Sequence, residues 1–163
     1  MNVKPIIAAL LLVVLLTTTA YAKTIDATDY DLRTVSKLTA EELAPMMHPE
    51  TRHLADEVVE ICAEEGVSAE FIVTVMRWER RPDLRNWFGW TDNRGRLMRF
   101  GSDVHCLRTI IPRIKAMYLT EGGRYFKGYT IAAVSTYYNN SDFWRNTITA
   151  GTQRILNKGC ELK

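Results

Sequence analysis

Glu79 closes an apolar run, Phe71-Ile72-Val73-Thr74-Val75-Met76-Arg77-Trp78-Glu79, just before Arg80-Arg81-Pro82. Ile72, Val75, Met76 and Glu79 recur at helical spacing, so on a helix the carboxylate shares the apolar face. Desolvation disfavours an ionised carboxyl group, and a carboxyl that keeps its proton near neutral pH is what general acid catalysis needs. The competing reading is a Glu that ends an amphipathic face and points to water. The segment that follows adds groups suited to a sugar. In Asn86-Trp87-Phe88-Gly89-Trp90, an amide, three aromatic rings and a glycine lie within five residues. On a strand, Phe88 and Trp90 would share one face and Trp87 the other. Asn86 would offer its amide to an N-acetyl group or cap the strand entry, and Gly89 would permit close backbone approach.

These residues resemble the glucosaminidase-type peptidoglycan hydrolases, glycoside hydrolase family 73 and its relatives in the lysozyme-like superfamily. The likeness rests on Glu79 followed by Asn86-Trp87-Phe88-Gly89-Trp90, and on the lead-in Gly66-Val67-Ser68-Ala69-Glu70-Phe71. It covers roughly residues 58–156. The resemblance implies a lysozyme-like helical domain with a small β lobe, and cleavage of the β-1,4 glycan strand of peptidoglycan with Glu79 as general acid. It also implies an active-site tyrosine near the C-terminal end. Tyr138 matches that position, with Trp144 at the family's second aromatic position and Tyr137 as the alternative. The chain departs from the pattern in placing Arg80 and Arg81 directly after the acid, and guanidinium groups favour the ionised carboxylate.

Most glycosidases use two carboxyl groups. Asp92, in the turn Asp92-Asn93-Arg94-Gly95, is the candidate for the second, although a turn Asp has a local role of its own. One Glu acting as acid and then base, as in lytic transglycosylases, is the alternative. A non-catalytic wall-binding module on the same scaffold is another.

The elements that must position these groups follow from the flanking signals. Residues 1–22 read as a signal peptide: Lys4, an apolar stretch from Ile6 to Leu16, then Ala20-Tyr21-Ala22. The run is short for a membrane span, so the expectation is export to the periplasm or beyond, with cleavage near Ala22. The remaining 141 residues suit one domain. The formal net charge of +2 falls to +1 when Lys4 is removed, which gives no argument for nucleic acid. Arginines crowd between Arg77 and Arg99, as a cationic rim for an anionic polymer or as a solvated surface.

Residues 23–50 read as a loosely structured leader, with a capping box at Thr39-Ala40-Glu41-Glu42, and the domain is expected over 51–163. Its order is a helix from Thr51 to Glu65 stopped by Gly66, a Ser68-capped helix bearing Glu79, a β-hairpin over 86–100, and three helices capped by Ser102, Thr130 and Ser141. The expected class is α+β, mostly helical. Cys62 reads as a core residue and Cys106–Cys160 as a guessed disulfide. His48, His53 and His105 stand apart, so neither a metal nor a cofactor is expected.

Overall fold

The computed structural model describes residues 26–162; the expected signal peptide lies outside them. The protein is mostly helical. Its α-helices are α1 (Ala40–Leu43), α2 (Ala55–Glu65), α3 (Ala69–Glu79), α4 (Asp103–Tyr118), α5 (Ile131–Tyr138) and α6 (Asp142–Glu161). Short 3-10 turns precede α2, at Pro49–Leu54, and follow α3, at Pro82–Leu84.

Side-chain caps set most helix starts. The hydroxyls of Thr39, Ser68, Ser102, Thr130 and Ser141 each accept from a backbone N–H three residues on, satisfying donors that a helix leaves open. At α1 the box is complete, because the Glu42 carboxylate returns to the Thr39 N–H. Gly66 ends α2 in the left-handed region, with φ 63°. The helix α3 stops at Glu79 because the chain is extended at Arg80 and Arg81, ahead of Pro82. Pro112 sits inside α4 without ending it. Lacking an N–H, it removes one hydrogen bond from a helix whose Leu107, Ile110, Ile111 and Ile114 are fully buried.

The helix α3 is central. Every residue from Ala69 to Met76 is buried. It packs on α2 and on α6, and α2 packs on α4. The approach to α6 is close: a Cβ on Gly151 would stand 2.5 Å from Thr74 Cγ2.

The stretch expected as a loose leader is ordered where it is described. Leu32 and Leu43 are fully buried and Leu38 and Met47 nearly so. Leu32 accepts from the Ser68 N–H at 2.8 Å, and Ser36 donates to the buried Glu70 carboxylate at 2.7 Å. The packed unit therefore extends N-terminal to Thr51. Apolar residues scattered among Thr, Asp and Ala concealed this, because they follow no single period.

The β-hairpin is a correction. Residues 86–100 turn back on themselves, but among the described residues they make only the isolated bridges Arg81–Asn86 and Thr91–Leu97. The Asn86 side chain explains why. The Trp90 carbonyl still accepts from the Met98 N–H, but the Asn86 amide takes the Met98 carbonyl and the Trp90 N–H, which would complete that pair in a regular ladder. Without a strand, the expected alternation of faces also fails, and the successive residues Trp87 and Phe88 are both buried. The disulfide is a second correction: Cys62, Cys106 and Cys160 are all free thiols.

Candidate functional site

Glu79, in the last turn of α3, meets the first turn of α6. Trp144 Nε1 donates to Glu79 Oε1 at 2.6 Å. Trp144 is itself buried, and its ring stacks on Tyr138 at 5.4 Å between centroids and 24° between planes. A buried indole N–H requires an acceptor, and here the acceptor is the carboxylate singled out by its place on α3. The other oxygen, Oε2, lies against Gly89, where an added Cβ would stand only 2.8 Å away. Gly89 has φ 60°, so both its backbone conformation and the proximity of Glu79 demand glycine.

Asn86 builds the loop that brings Gly89 to this position. It is fully buried. Its Nδ2 donates to the Trp90 and Met98 carbonyls at 2.8 and 2.9 Å. Its Oδ1 accepts from the N–H groups of Trp90 and Phe88 at 2.9 and 3.4 Å. Both donors and both acceptor sites of the amide are thus used internally. Asn86 is the loop's organiser, and its amide does not reach a ligand. Phe88 and Trp87 are also buried. Trp87 Nε1 donates to Asp103 at 3.2 Å, pointing toward α4.

A cavity of about 670 Å³ opens beside Glu79. Glu79, Gly89, Trp90, Tyr137, Tyr138 and Asp92 all line it, and the sequence singled out each of them. Trp87 and Asn86 do not line it, and Phe88 reaches it from the core. The opposite wall, which sequence reasoning missed, comes from α4 and the loop after it: Arg113, Met117, Tyr118, Arg124 and Tyr125. Aromatic rings run along the cavity in contact. Tyr138 meets Tyr118 at 5.6 Å, Tyr118 meets Tyr125 at 5.2 Å, and Tyr125 meets Tyr137 at 5.5 Å.

Tyr138 joins both halves of the site. Its hydroxyl donates to the Phe88 carbonyl at 2.8 Å, tying α5 to the Gly89 loop. Burial, then the negative charge of Glu79, pushes this phenol well above the usual tyrosine range. It therefore stays protonated, a donor and positioning group rather than a base. Tyr118 is likewise pushed up to about 12, by burial first.

Asp92 is engaged on every side. Its Oδ1 accepts from the backbone N–H groups of Arg94 and Arg96, and its Oδ2 from Arg96 Nε and Nη2, at 2.8 to 3.0 Å. The Arg96 backbone N–H, then its guanidinium, holds this carboxyl below the usual aspartate range. Such a carboxylate is a weak proton acceptor.

The arginines that crowd the sequence mostly hold loops together. Arg85 and Arg99 donate to the Gly101 and Asp83 carbonyls. Arg80 turns to the Arg77 carbonyl and to Glu50. Arg81 is exposed, so neither residue after the acid forms an ion pair with it. Among the described residues, no cluster of three His, Cys, Asp or Glu could hold a metal ion, and no helix is long and apolar enough to cross a membrane.

No protein-family model, curated protein or solved structure matches this chain.

Proposed function

We propose that the chain is an exported glycosidase that cleaves the β-1,4 glycan strand of peptidoglycan, with Glu79 as its general acid. The observation that carries this reading is the fixed position of Glu79 on the wall of an aromatic cavity, with one oxygen held by Trp144 and the other against Gly89. Flat aromatic walls suit sugar rings, whose C–H faces are apolar and whose hydroxyls need polar neighbours. A carboxyl group locked in one rotamer can deliver its proton to a glycosidic oxygen without a search for geometry. The Trp144 N–H then stabilises the carboxylate left behind.

The order of elements supports the lysozyme-like reading: an acid at the end of a buried helix, a loop lobe directly after it, then helices that close the far wall. The expected partner is the glycan strand, and the expected setting is the periplasm or the extracellular space.

Between the two chemical routes, the state of Asp92 favours the one-carboxylate route. With Asp92 bound into its turn, Glu79 would act first as acid and then as base, while a group on the substrate attacks the anomeric carbon. That group is a sugar hydroxyl, giving an anhydro end, or the N-acetyl oxygen, giving a hydrolysed end after water enters. The test is incubation of purified wall material with the wild type and with Glu79→Gln, with mass spectrometry of the products. Cleavage lost in the variant supports the reading, and the ends formed by the wild type distinguish the routes. Equal cleavage by both proteins would exclude Glu79 as the acid.

A further inference from the structure

A second cavity, of about 780 Å³, lies between α3 and α6. Its wall includes Trp78, the residue directly before Glu79, which lines the first cavity. Its chemistry differs from that of the first. The first cavity is walled by tyrosines and Trp90. The second has an aliphatic floor of Met46, Val73 and Ile155, and cationic edges. Arg77, Arg154 and Lys158 all border it and are exposed. Lys158 is paired at 2.9 Å with Glu161, which also borders the cavity, whereas no carboxylate among the described residues pairs with Arg77 or Arg154. Trp78 is 51 % exposed and meets Phe143, 73 % exposed, edge to face at 6.3 Å. Two guanidinium groups without a partner, above an aliphatic floor, suit carboxylates carried on small apolar residues.

Resting on the glycosidase reading of the first cavity, we infer that the second cavity binds a short acidic peptide attached to the sugar polymer, with Arg77 and Arg154 taking its carboxylates. The wall polymer carries such peptides as branches. Glu79 lines the first cavity and its neighbour Trp78 the second, so the groove would take up a branch that leaves a sugar bound near Glu79. An unsubstituted sugar chain would use a run of aromatic faces, which the first cavity supplies with Trp90 and its tyrosines, whereas the second offers Trp78 alone above an aliphatic floor. The groove therefore selects strands that still carry their peptides.

The experiment compares two substrates, glycan strands with their peptides and the same strands after enzymatic removal of the peptides. It uses the wild type, the double variant Arg77→Ala/Arg154→Ala, and Thr147→Trp, which fills the groove from α6. The wild type should cleave peptide-bearing strands with the higher kcat/KM. Both variants should lose about tenfold or more on those strands, the size expected of lost charge-assisted hydrogen bonds, with cleavage of peptide-free strands unchanged. Circular dichroism checks that each variant is folded, and a fold lost in one leaves the other to decide. Equal cleavage of both substrates by all three proteins overturns the inference. If the wild type cleaves neither substrate, the glycosidase reading fails by itself. The groove is then judged by calorimetric titration of the free acidic peptide: binding that the double variant lacks sustains the inference, and no binding by the wild type overturns it.

Discussion

Trp144 and Glu79 stand 65 positions apart in sequence and 2.6 Å apart in space, the indole N–H on the carboxylate oxygen. This bond joins the last turn of α3 to the first turn of α6. It gives Glu79 one orientation, and it gives a buried indole N–H its acceptor. A site that combines these two needs is constrained at both ends.

Trp144→Phe keeps the stacking on Tyr138 and removes the donor. A hydrogen bond to a charged group is worth ~1.5–3 kcal/mol. If Glu79 is the acid, kcat on wall material should fall about 10- to 100-fold, with KM changed little, because the bond acts on the proton donor rather than on substrate affinity. A change in KM alone would place Trp144 in binding instead.

Gly89→Ala should be more damaging than its size suggests. The new Cβ would stand 2.8 Å from Glu79 Oε2 and 3.3 Å from the Glu79 carbonyl, at a backbone φ of 60°. Either the loop or the carboxylate must move, and a displacement near 1 Å at a reacting group costs on the order of 10²-fold in rate. Activity should therefore fall by about that factor, with a lowered melting temperature from the strained backbone. An unchanged rate would show that Glu79 need not hold its present position.

Asn86→Ala should cost stability rather than affinity. It leaves the Trp90 and Phe88 N–H groups without their acceptor and the Met98 carbonyl without its donor, inside a loop that lacks a regular ladder. At ~1–3 kcal/mol for each buried group left unsatisfied, a loss of roughly 3 kcal/mol in denaturant unfolding is expected. A loss of sugar binding at full stability would instead return Asn86 to the role of a ligand contact.

What could be read in the sequence divides along local and non-local lines. The helix starts at Ser68, Ser102, Thr130 and Ser141 depend on a hydroxyl and a backbone N–H three residues away, so they were legible. So was Glu79 on the apolar face of α3. The hairpin was misread because Asn-Trp-Phe-Gly-Trp followed by Asp-Asn-Arg-Gly has strand and turn composition, while the Asn86 side chain, placed at the centre of the loop, takes the place of the ladder. The Trp144–Glu79 bond had one signal, a tryptophan among the inner residues of α6 whose N–H would need an acceptor. Nothing in the sequence chose Glu79 over other acceptors. Arg113 and Arg124, which also line the cavity, carried no signal, since α4, which holds Arg113, reads as an ordinary amphipathic helix and Arg124 lies in the loop after it.

The thiols and phenols give a prediction in pH. Burial pushes Cys106 up to about 12, and Tyr30 and Tyr118 also up to about 12. For groups raised in the folded state, the unfolded chain loses its protons first as the pH rises. Stability from these groups is complete below the unfolded values, about 8.5 for a thiol and 10 for a phenol. It is lost between those values and about 12. The melting temperature should fall steadily on the alkaline side, beginning below pH 9 from the thiol. Burial raises the Cys62 thiol as well, so Cys106→Ala should make that first part of the slope shallower without abolishing it, and the double variant with Cys62→Ala should remove it. In the wild type at neutral pH, a thiol reagent should label Cys160, which is partly exposed, well before Cys62 and Cys106. Addition of a reductant should leave the melting temperature unchanged, because no bridge joins Cys106 to Cys160. A drop in melting temperature on reduction, or three thiols labelled at one rate, would contradict the buried free cysteines.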